Sequence, residues 1–319
     1  MTEHRPMDLL TIGETMGLLV AEETGPVTTV NTFRLRIGGS ESNVAIGASR
    51  LGARVRWVSR LGADGLGDRI ERTIRGEGVE VVVRRDPDAP TGLMLKERRA
   101  ATHTNVSYYR GGSAAASIGA DDIDDMDLRN ARVLHLTGIT GALSPSARDA
   151  VVQLARRGRT AGCVVSFDIN FRSKLTTREN AALLLRELIS SVDLLFGGLD
   201  EVSLLDASIV SAEDAWRVAS TAGVSHLVVK DGANGAHAFS DDAAAYRPAY
   251  TVSVVDTVGA GDAFVAGYLT AWLEGHDMAT CLDRGARSGA LVCMVIGDWE
   301  GAPTHADLAL FDAGDSVDR

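Results

Sequence analysis

The chain has 319 residues, of which 45% are hydrophobic, and a formal net charge of −11. This composition can bury a large core, and the excess of acidic residues argues against nucleic acid or an anionic membrane as a partner, because both are recruited mainly by Lys and Arg. The three cysteines are widely spaced and show no zinc-binding pattern, which predicts reduced thiols. Neither the N-terminal residues 1–6 nor the sequence after them begins a long apolar stretch, so we expect a cytoplasmic protein. A small molecule is the expected ligand.

In chain order, short apolar runs that predict buried strands alternate with amphipathic segments that predict helices. The strand runs lie at residues 9–12, 55–58, 79–83, 133–136, 163–167, 194–196 and 227–229, and the helical segments lie at 42–51, 144–155, 180–192 and 278–296. Strands that alternate with helices indicate a mostly parallel sheet covered by helices on both faces. We therefore predict an α/β fold.

Two early stretches, roughly residues 15–36 and 91–112, differ from this pattern because apolar and polar residues alternate in them, as in half-exposed strands. They lie inside the α/β pattern and are not appended to it. We interpret them as a small β-sheet lid on a single domain of residues 1–319. The edge strands of such a lid offer backbone pairing to a second copy, which predicts a homodimer formed through the lid.

The most informative segment lies near the C-terminus. A β-branched run at residues 251–256 precedes the turn Thr257-Val-Gly-Ala-Gly-Asp262, and apolar residues then recur at helical spacing over 263–274. This pattern predicts a strand, a glycine turn and a helix, with backbone N–H groups at the helix N-terminus pointing at an anion. The lysine of a P-loop is absent, and Phe264 stands where a dinucleotide-binding turn has its third glycine.

Asp262 lies at the mouth of this predicted anion site. A carboxylate there would repel phosphate unless it binds a metal or accepts the proton of an attacking hydroxyl, and phosphoryl transfer needs such a base. The alternative, that Asp262 only caps the helix, stays open from the residues alone.

The segment 256–267 resembles the C-terminal signature of the ribokinase-like (PfkB) family of carbohydrate kinases, and Gly38-Gly-Ser-Glu-Ser-Asn43-Val-Ala45 resembles its N-terminal signature. The resemblance covers nearly the whole chain. It implies a ribokinase-like three-layer core, with a mostly parallel sheet between helices, and a small β-sheet lid. It also implies transfer of phosphate from ATP to a sugar hydroxyl, with Mg2+ and a monovalent cation such as K+.

The resemblance also implies a site, position by position. Asp262 would be the general base, and the anion hole would be formed by Gly259, Ala260 and Gly261. The residues against the nucleotide would be Lys230, Gly232, Gly235 and Ala286. Glu201 would arrange Mg2+, and the monovalent-cation site would be bordered by Asp256 and Thr257. The substrate-binding residues would be Gly39, Asn43, Tyr108, Arg110, Ile139, Asp168 and Arg172.

Three segments concern the choice of sugar. Asp168-Ile-Asn-Phe-Arg172 resembles a motif common among fructokinase-like and 2-keto-3-deoxygluconate kinase-like members. Tyr108-Tyr-Arg110 and residues 297–303 resemble segments of the 2-keto-3-deoxygluconate kinase-like subgroup. They favour an acidic sugar, because the planar, permanently charged guanidinium groups of Arg110 and Arg172 suit a carboxylate. Tyr108 has an alternative role in packing the lid. A fructokinase or other ketose or sugar-acid kinase, and a non-catalytic protein that binds sugar and nucleotide, remain the alternatives.

Two positions depart from the family pattern. Gly198 stands where most members have an asparagine three residues before Glu201. Either Mg2+ binding is weaker than in those members or Asp200 takes the place of the asparagine. Ala286 replaces a frequent asparagine near the adenine, which leaves the nucleotide preference open. Gluconate-type and galactonate-type stereochemistry are not distinguished by these residues.

Overall fold

A computed structural model describes residues 7–100, 103–124 and 126–313 of the chain. Residues 1–6, which enter the prediction that the protein is not secreted, lie outside these ranges. Within them, no helix combines the length and apolar composition that crossing a bilayer requires.

The described residues form two sheets. The strands are β1 (Met7–Ile12), β2 (Met16–Thr24), β3 (Phe33–Gly38), β4 (Val55–Gly62), β5 (Glu80–Asp86), β6 (Leu93–Ala100), β7 (His103–Tyr109), β8 (Ala131–Thr137), β9 (Val164–Asp168), β10 (Leu194–Gly198), β11 (His226–Lys230), β12 (Ala236–Ser240) and β13 (Ala243–Arg247). The helices are α1 (Ser40–Arg50), α2 (Gly65–Gly76), α3 (Ala120–Ile123), α4 (Gly138–Gly141), α5 (Pro145–Ala161), α6 (Arg178–Leu188), α7 (Leu199–Val202), α8 (Ala212–Thr221), α9 (Ala260–Leu273), α10 (Met278–Cys293) and α11 (His305–Ala313).

The larger sheet has nine strands in the order β13-β12-β11-β10-β9-β8-β1-β4-β5. All neighbours pair in parallel except β11–β12 and β12–β13, which are antiparallel. Successive residues of a strand point to opposite faces, and on β1 Leu9 joins one hydrophobic core while Leu10 joins the other. The sheet is therefore buried between two helical layers, which confirms the predicted α/β fold.

The smaller sheet has four strands in the order β3-β2-β6-β7. Its inner face carries the buried side chains of Met16, Leu18 and Met94, against which Val20 and Val106 pack. This sheet is the predicted lid, and its strands fall within the predicted ranges except for the last two residues of β3. The homodimer through it stays a prediction.

The prediction of a strand at residues 251–256 is wrong. The described chain has no strand there, and Val254 and Val255 are 62% and 45% exposed. Strand β13 forms the edge of the large sheet, and the run that follows it does not pair with that edge. The Val255 N–H instead donates to the carbonyl oxygen of Cys293 at the end of α10. The β-branched residues resemble a strand in composition only, while the turn and helix after them form as predicted.

Candidate active site

A cleft of about 430 Å3 lies between the lid and the carboxyl ends of the central strands. Open α/β sheets bind their ligands at this edge. Of the residues predicted to form a site, the cleft is lined by Gly39, Asn43, Tyr108, Arg110, Ile139, Arg172, Gly259 and Asp262. The fold thus gathers into one cavity residues from the lid, from the loops after β8 and β9, and from the N-termini of α1 and α9.

The Asp262 side chain, in the first turn of α9, is held by neutral donors. Its Oδ1 accepts hydrogen bonds from Ser40 Oγ (2.7 Å) and Asn170 Nδ2 (3.4 Å), and its Oδ2 accepts one from Asn43 Nδ2 (2.8 Å). Burial raises the pKa of Asp262, and the bonds from Asn43 and Ser40 oppose that rise. A carboxylate in this setting is fixed in position and able to accept a proton.

Asn170 shows why the loop after β9 carries a polar sequence. Its backbone has φ +43°, which asparagine tolerates better than most residues. This conformation directs its side-chain amide to both Ser40 Oγ (2.9 Å) and Asp262. Strained backbone of this kind collects at functional sites.

Residues 257–261, which we call the anion turn, lead into α9. Gly259 has φ +80°, and a Cβ there would lie 1.7 Å from the carbonyl oxygen of Asp298, so only glycine fits. The backbone N–H groups of Gly261 and Asp262 have no acceptor within the described residues. Two free donors at a helix N-terminus form a site for an anion.

Lys230, at the end of β11, supplies positive charge beside this turn. Its Nζ lies 3.8 Å from the position that a Cβ on Gly261 would take. Nζ also donates to both oxygens of Asp168, at 2.9 and 2.8 Å. Burial would lower the pKa of Lys230, but the carboxylates of Asp168 and Glu201 outweigh it and the pKa is raised, so the ammonium stays charged.

Asp168 is 1% exposed and is not among the residues that line the cleft. Its carboxylate pairs with Lys230 behind the anion turn, although the resemblance implies contact with the sugar. Glu201 also lies on this side: its carboxylate accepts the backbone N–H groups of Phe171 and Gly198, both at 2.7 Å. Burial is the largest cause of the raised pKa of Glu201, followed by the Asp168 charge.

These carboxylates bear on the implied Mg2+. In the described part of the chain, no group of three or more His, Cys, Asp or Glu side chains is arranged to bind a metal. A Mg2+ ion that accompanies a nucleotide takes most of its ligands from phosphates and water and needs only one or two carboxylates. Asp168 and Glu201 each keep lone pairs beyond the bonds they accept. Glu201 fits Mg2+ held through water, whereas Asp168 already pairs with the Lys230 ammonium and Asp200 is 78% exposed at its side chain.

The remaining nucleotide-side residues flank a shallow groove of about 570 Å3 at the ends of β10 and β11, lined in part by Gly198, Lys230 and Gly232. Gly235 adopts φ +111° in the turn that follows. Ala286 lies on α10, half-buried against the hydrophobic core. Neither Gly235 nor Ala286 lines the groove.

The two predicted arginines differ in their surroundings. Arg110 forms an ion pair with Glu14, a buried residue that also accepts a hydrogen bond from Ser113 Oγ at 2.5 Å. The exposed side chain of Arg172 has no ion pair or hydrogen bond within the described residues. Of these two guanidinium groups, only that of Arg172 has its charge free for a ligand.

A third basic residue, Lys96, was not foreseen. It extends from β6 of the lid and forms an ion pair with Asp256, and both side chains are at most 6% exposed. Asp256 directly precedes the anion turn, and its Oδ1 accepts the Val258 N–H at 3.2 Å. The implied monovalent cation does not fit here, because an ammonium group already pairs with the Asp256 carboxylate. Thr257 is exposed beside it.

The polar and charged residues that the structure adds to the site include Glu14, Ser40, Lys96, Asn170, Lys174 and Asp298. Ser40 and Asn170 lie inside two of the sequence motifs described above, so their polar side chains could have been predicted to belong to the site. Lys96 occupies an inward position of an alternating strand, two residues after the buried Met94. Asp298 lines the cleft, and burial raises its pKa to about 7.

Comparison with known proteins agrees with this geometry. The sequence matches the pfkB family of carbohydrate kinases over residues 7–305. It is 35% identical to the 2-dehydro-3-deoxygluconokinase of Bacillus subtilis (strain 168) over 96% of this chain and 95% of that protein. It is 38% identical to the 2-dehydro-3-deoxygluconokinase of Thermoproteus tenax over 93% of this chain and 92% of the relative.

The fold is also similar to solved structures. The crystal structure of the PfkB protein from Polaromonas sp. JS666 superposes with a TM-score of 0.84 at 35% identity, covering 95% of this chain and 99% of that one. These similarities extend over the lid, the central sheet and the anion turn together.

Proposed function

The chain belongs to the pfkB family of carbohydrate kinases, and from that premise we propose that it transfers the γ-phosphoryl group of ATP to a hydroxyl of a sugar acid. The first candidate is 2-keto-3-deoxygluconate, which would yield 2-keto-3-deoxy-6-phosphogluconate. One observation carries the proposal: the buried carboxylate of Asp262, held only by neutral donors, lies at the cleft beside free backbone N–H groups.

The chemical step follows from this arrangement. The Asp262 carboxylate accepts the proton of the sugar hydroxyl as its oxygen attacks the γ-phosphorus. The bond from that phosphorus to the β,γ-bridging oxygen breaks, and ADP leaves. The N–H groups of Gly261 and Asp262 and the ammonium of Lys230 bind the oxygens of the transferring group, whose negative charge they stabilise.

When bound, Mg2+ would neutralise part of the phosphate charge, and Glu201 would hold its water ligands. The groove beside Gly198 and Gly232 leads to Lys230 and is the proposed path for the nucleotide. The sugar would then lie on the opposite side of the anion turn, under the lid, where the cleft is lined by Met16, Leu18 and Met94 as well as polar groups. A lid over the reacting groups excludes water, which would otherwise be phosphorylated in place of the sugar.

Arg172 supports an acidic substrate. Its guanidinium lines the cleft without a protein partner, although Asp262 lies near enough for the Arg172 charge to act on its pKa. A free, permanently charged group in a substrate cleft suits a carboxylate. The names of the relatives from Bacillus subtilis and Thermoproteus tenax point to the same substrate class.

A coupled ADP-release assay tests the proposal. The protein is supplied with ATP, saturating Mg2+ and, in separate reactions, 2-keto-3-deoxygluconate, its galactonate epimer and fructose. We expect kcat/KM for one of the acids to exceed that for fructose by at least about tenfold, the usual worth of a charge-assisted hydrogen bond. Turnover with fructose alone would indicate a fructokinase, and binding of sugar and ATP without ADP release would indicate a non-catalytic protein.

A further inference from the structure

Lys96 is a lid residue that reaches the core. Strand β6 places it on the inner face of the lid, two positions after Met94, and its side chain is 6% exposed. The described structure pairs its ammonium with Asp256 and places its Nζ 3.9 Å from Asp298 Oδ1. Lysine is seldom fully buried without a partner, because its charge then loses hydration without compensation.

Asp256 connects this ammonium to the anion turn. Its Oδ1 accepts the N–H of Val258, a residue of the turn, and its Oδ2 accepts the N–H of Gly297 at 3.3 Å. Gly297 directly precedes Asp298. The carbonyl oxygen of Asp298 packs against Gly259 of the anion turn so closely that a side chain there would collide with it. The charge of Lys96 therefore holds the carboxylate that shapes the loop on which phosphate is proposed to bind.

We propose that the Lys96 ammonium is a built-in cation of the active site: it takes the position at Asp256 that the family resemblance assigns to a monovalent cation, and it makes phosphoryl transfer independent of K+. The inference rests on the proposed function, which it deepens by naming a positioning residue and an ionic requirement. A second monovalent cation at Asp256 would lie against the ammonium, and like charges this close in a buried site repel strongly.

The same geometry predicts what happens without the ammonium. Lys96 and Asp256 also line a second cleft, of about 390 Å3, together with Glu22 and Arg36. When Lys96 is shortened to alanine, Asp256 is left with an uncompensated charge that solvent cations can reach through this cleft. The variant should therefore acquire a dependence on K+ that the natural protein lacks.

The test compares the natural protein with Lys96→Ala in KCl and in choline chloride at equal ionic strength. We expect kcat of the natural protein to change less than about twofold between the two salts, and kcat of Lys96→Ala to fall at least about tenfold in choline chloride and to recover in part in KCl. Arg98→Ala is the matched control, since it removes a positive charge from the same strand outside the ion pair with Asp256. It should behave as the natural protein in both salts.

A second measurement does not need the substrate. The melting temperature of Lys96→Ala should be higher in KCl than in choline chloride. The melting temperature of the natural protein should be the same in both salts. In the double variant Lys96→Ala/Asp256→Asn, the difference between the two salts should disappear. These melting experiments decide the inference even if the sugar-acid assay shows no turnover, so the two proposals fail separately.

Activation of the natural protein severalfold by K+, or a K+-specific rise in its melting temperature, would overturn the inference, and neither measurement depends on the variant folding. A folded Lys96→Ala protein whose rate and melting temperature are the same in both salts would overturn it as well.

Discussion

Asp256 and Asp262 lie six residues apart on either side of the anion turn, and both are 7% exposed. They are the same residue type in the same loop, but their partners differ. Asp256 pairs with the ammonium of Lys96, whereas Asp262 accepts hydrogen bonds from Ser40, Asn43 and Asn170, which are all neutral. The loop therefore contains one carboxylate in an ion pair with a lysine and one whose hydrogen-bond donors are all neutral.

This difference separates a structural carboxylate from a reactive one. A carboxylate of the first kind is already engaged by an ammonium group, as Asp256 is by Lys96. Neutral donors orient Asp262, and burial raises its pKa, so that a proton gained from a hydroxyl is better tolerated. Asp168, paired with Lys230, belongs to the first kind. Two carboxylates held by lysines thus flank the one that is proposed to be the base.

The largest expected effect tests this contrast directly. Asp262→Asn should lower kcat by at least about 10²-fold, because an amide cannot accept the hydroxyl proton and the loss of a general base has this scale. Binding of ATP, measured by calorimetry, should be close to that of the natural protein. The rate is measured as ADP release with the best sugar acid.

Asp68→Asn is the matched control for that variant. Asp68 also lies in the first turn of a helix, α2, but its side chain is 78% exposed and pairs with Arg85 away from the cleft. If Asp262 only stabilised its helix, the two substitutions would have similarly small effects on rate and modest effects on melting temperature. A near-normal kcat for Asp262→Asn would remove the proposed mechanism.

The second-largest expected effect concerns the two arginines of the cleft. Arg110 is paired with Glu14, whereas the charge of Arg172 is free within the described residues. Arg172→Met should lower kcat/KM for the sugar acid by about 10- to 100-fold, since a hydrogen bond to a charged group contributes roughly 1.5–3 kcal/mol. With fructose the loss should be below about threefold, because no ionised partner is removed from the neutral sugar. The melting temperature should hardly change, as the side chain has no protein partner.

Arg110→Met provides the comparison for that variant. It leaves the Glu14 carboxylate buried without its ion pair, so we expect a lower melting temperature and losses with both substrates. Adding Glu14→Gln should restore part of the stability, because the uncompensated charge is then gone. Equal losses of kcat/KM on the acid and on fructose for Arg172→Met would contradict carboxylate recognition by that residue.

Much of the fold could be predicted because its signals are local. Buried parallel strands are continuous apolar runs, and lid strands alternate, so the run before Ile12 and the stretch around Met94 were assigned to the correct sheets. The run at residues 251–256 failed because its composition is that of a strand, while strand formation depends on a neighbour. In the described chain the run lies next to no strand and donates backbone N–H groups to the end of α10.

The site was foreseen where its residues belong to motifs and missed where they depend on long-range pairing. Asp262 and Asn43 were found through their signatures. The partner of Lys96 lies 160 positions later in the chain, and that of Arg110 lies 96 positions earlier, and no local pattern indicates either pair. Sequence alone therefore identified Asp256 and Arg110 but not the charged residues that neutralise them in the fold.

The smallest expected effect is a shift in pH dependence. A carboxylate base works only when ionised, so kcat/KM should fall as pH drops through the pKa of Asp262, which burial has raised above the usual carboxyl value. Ser40 Oγ donates to Oδ1 and stabilises the ionised form, so Ser40→Ala should raise that pKa further. One such bond contributes about 0.5–1.5 kcal/mol, and the acid limb of the pH profile should therefore move up by about 0.4–1 pH unit.

Ser42→Ala is the control for this shift. Ser42 is also buried in α1, but its hydroxyl contacts Thr15 and the Gly39 carbonyl and does not contact Asp262. Its acid limb should coincide with that of the natural protein. If Ser40→Ala left the limb in place, the titrating group would be another one in the cleft, with Asp298 and its pKa of about 7 as the leading candidate. A shift confined to Ser40→Ala would instead assign the limb to the one carboxylate in this loop that lacks a lysine partner.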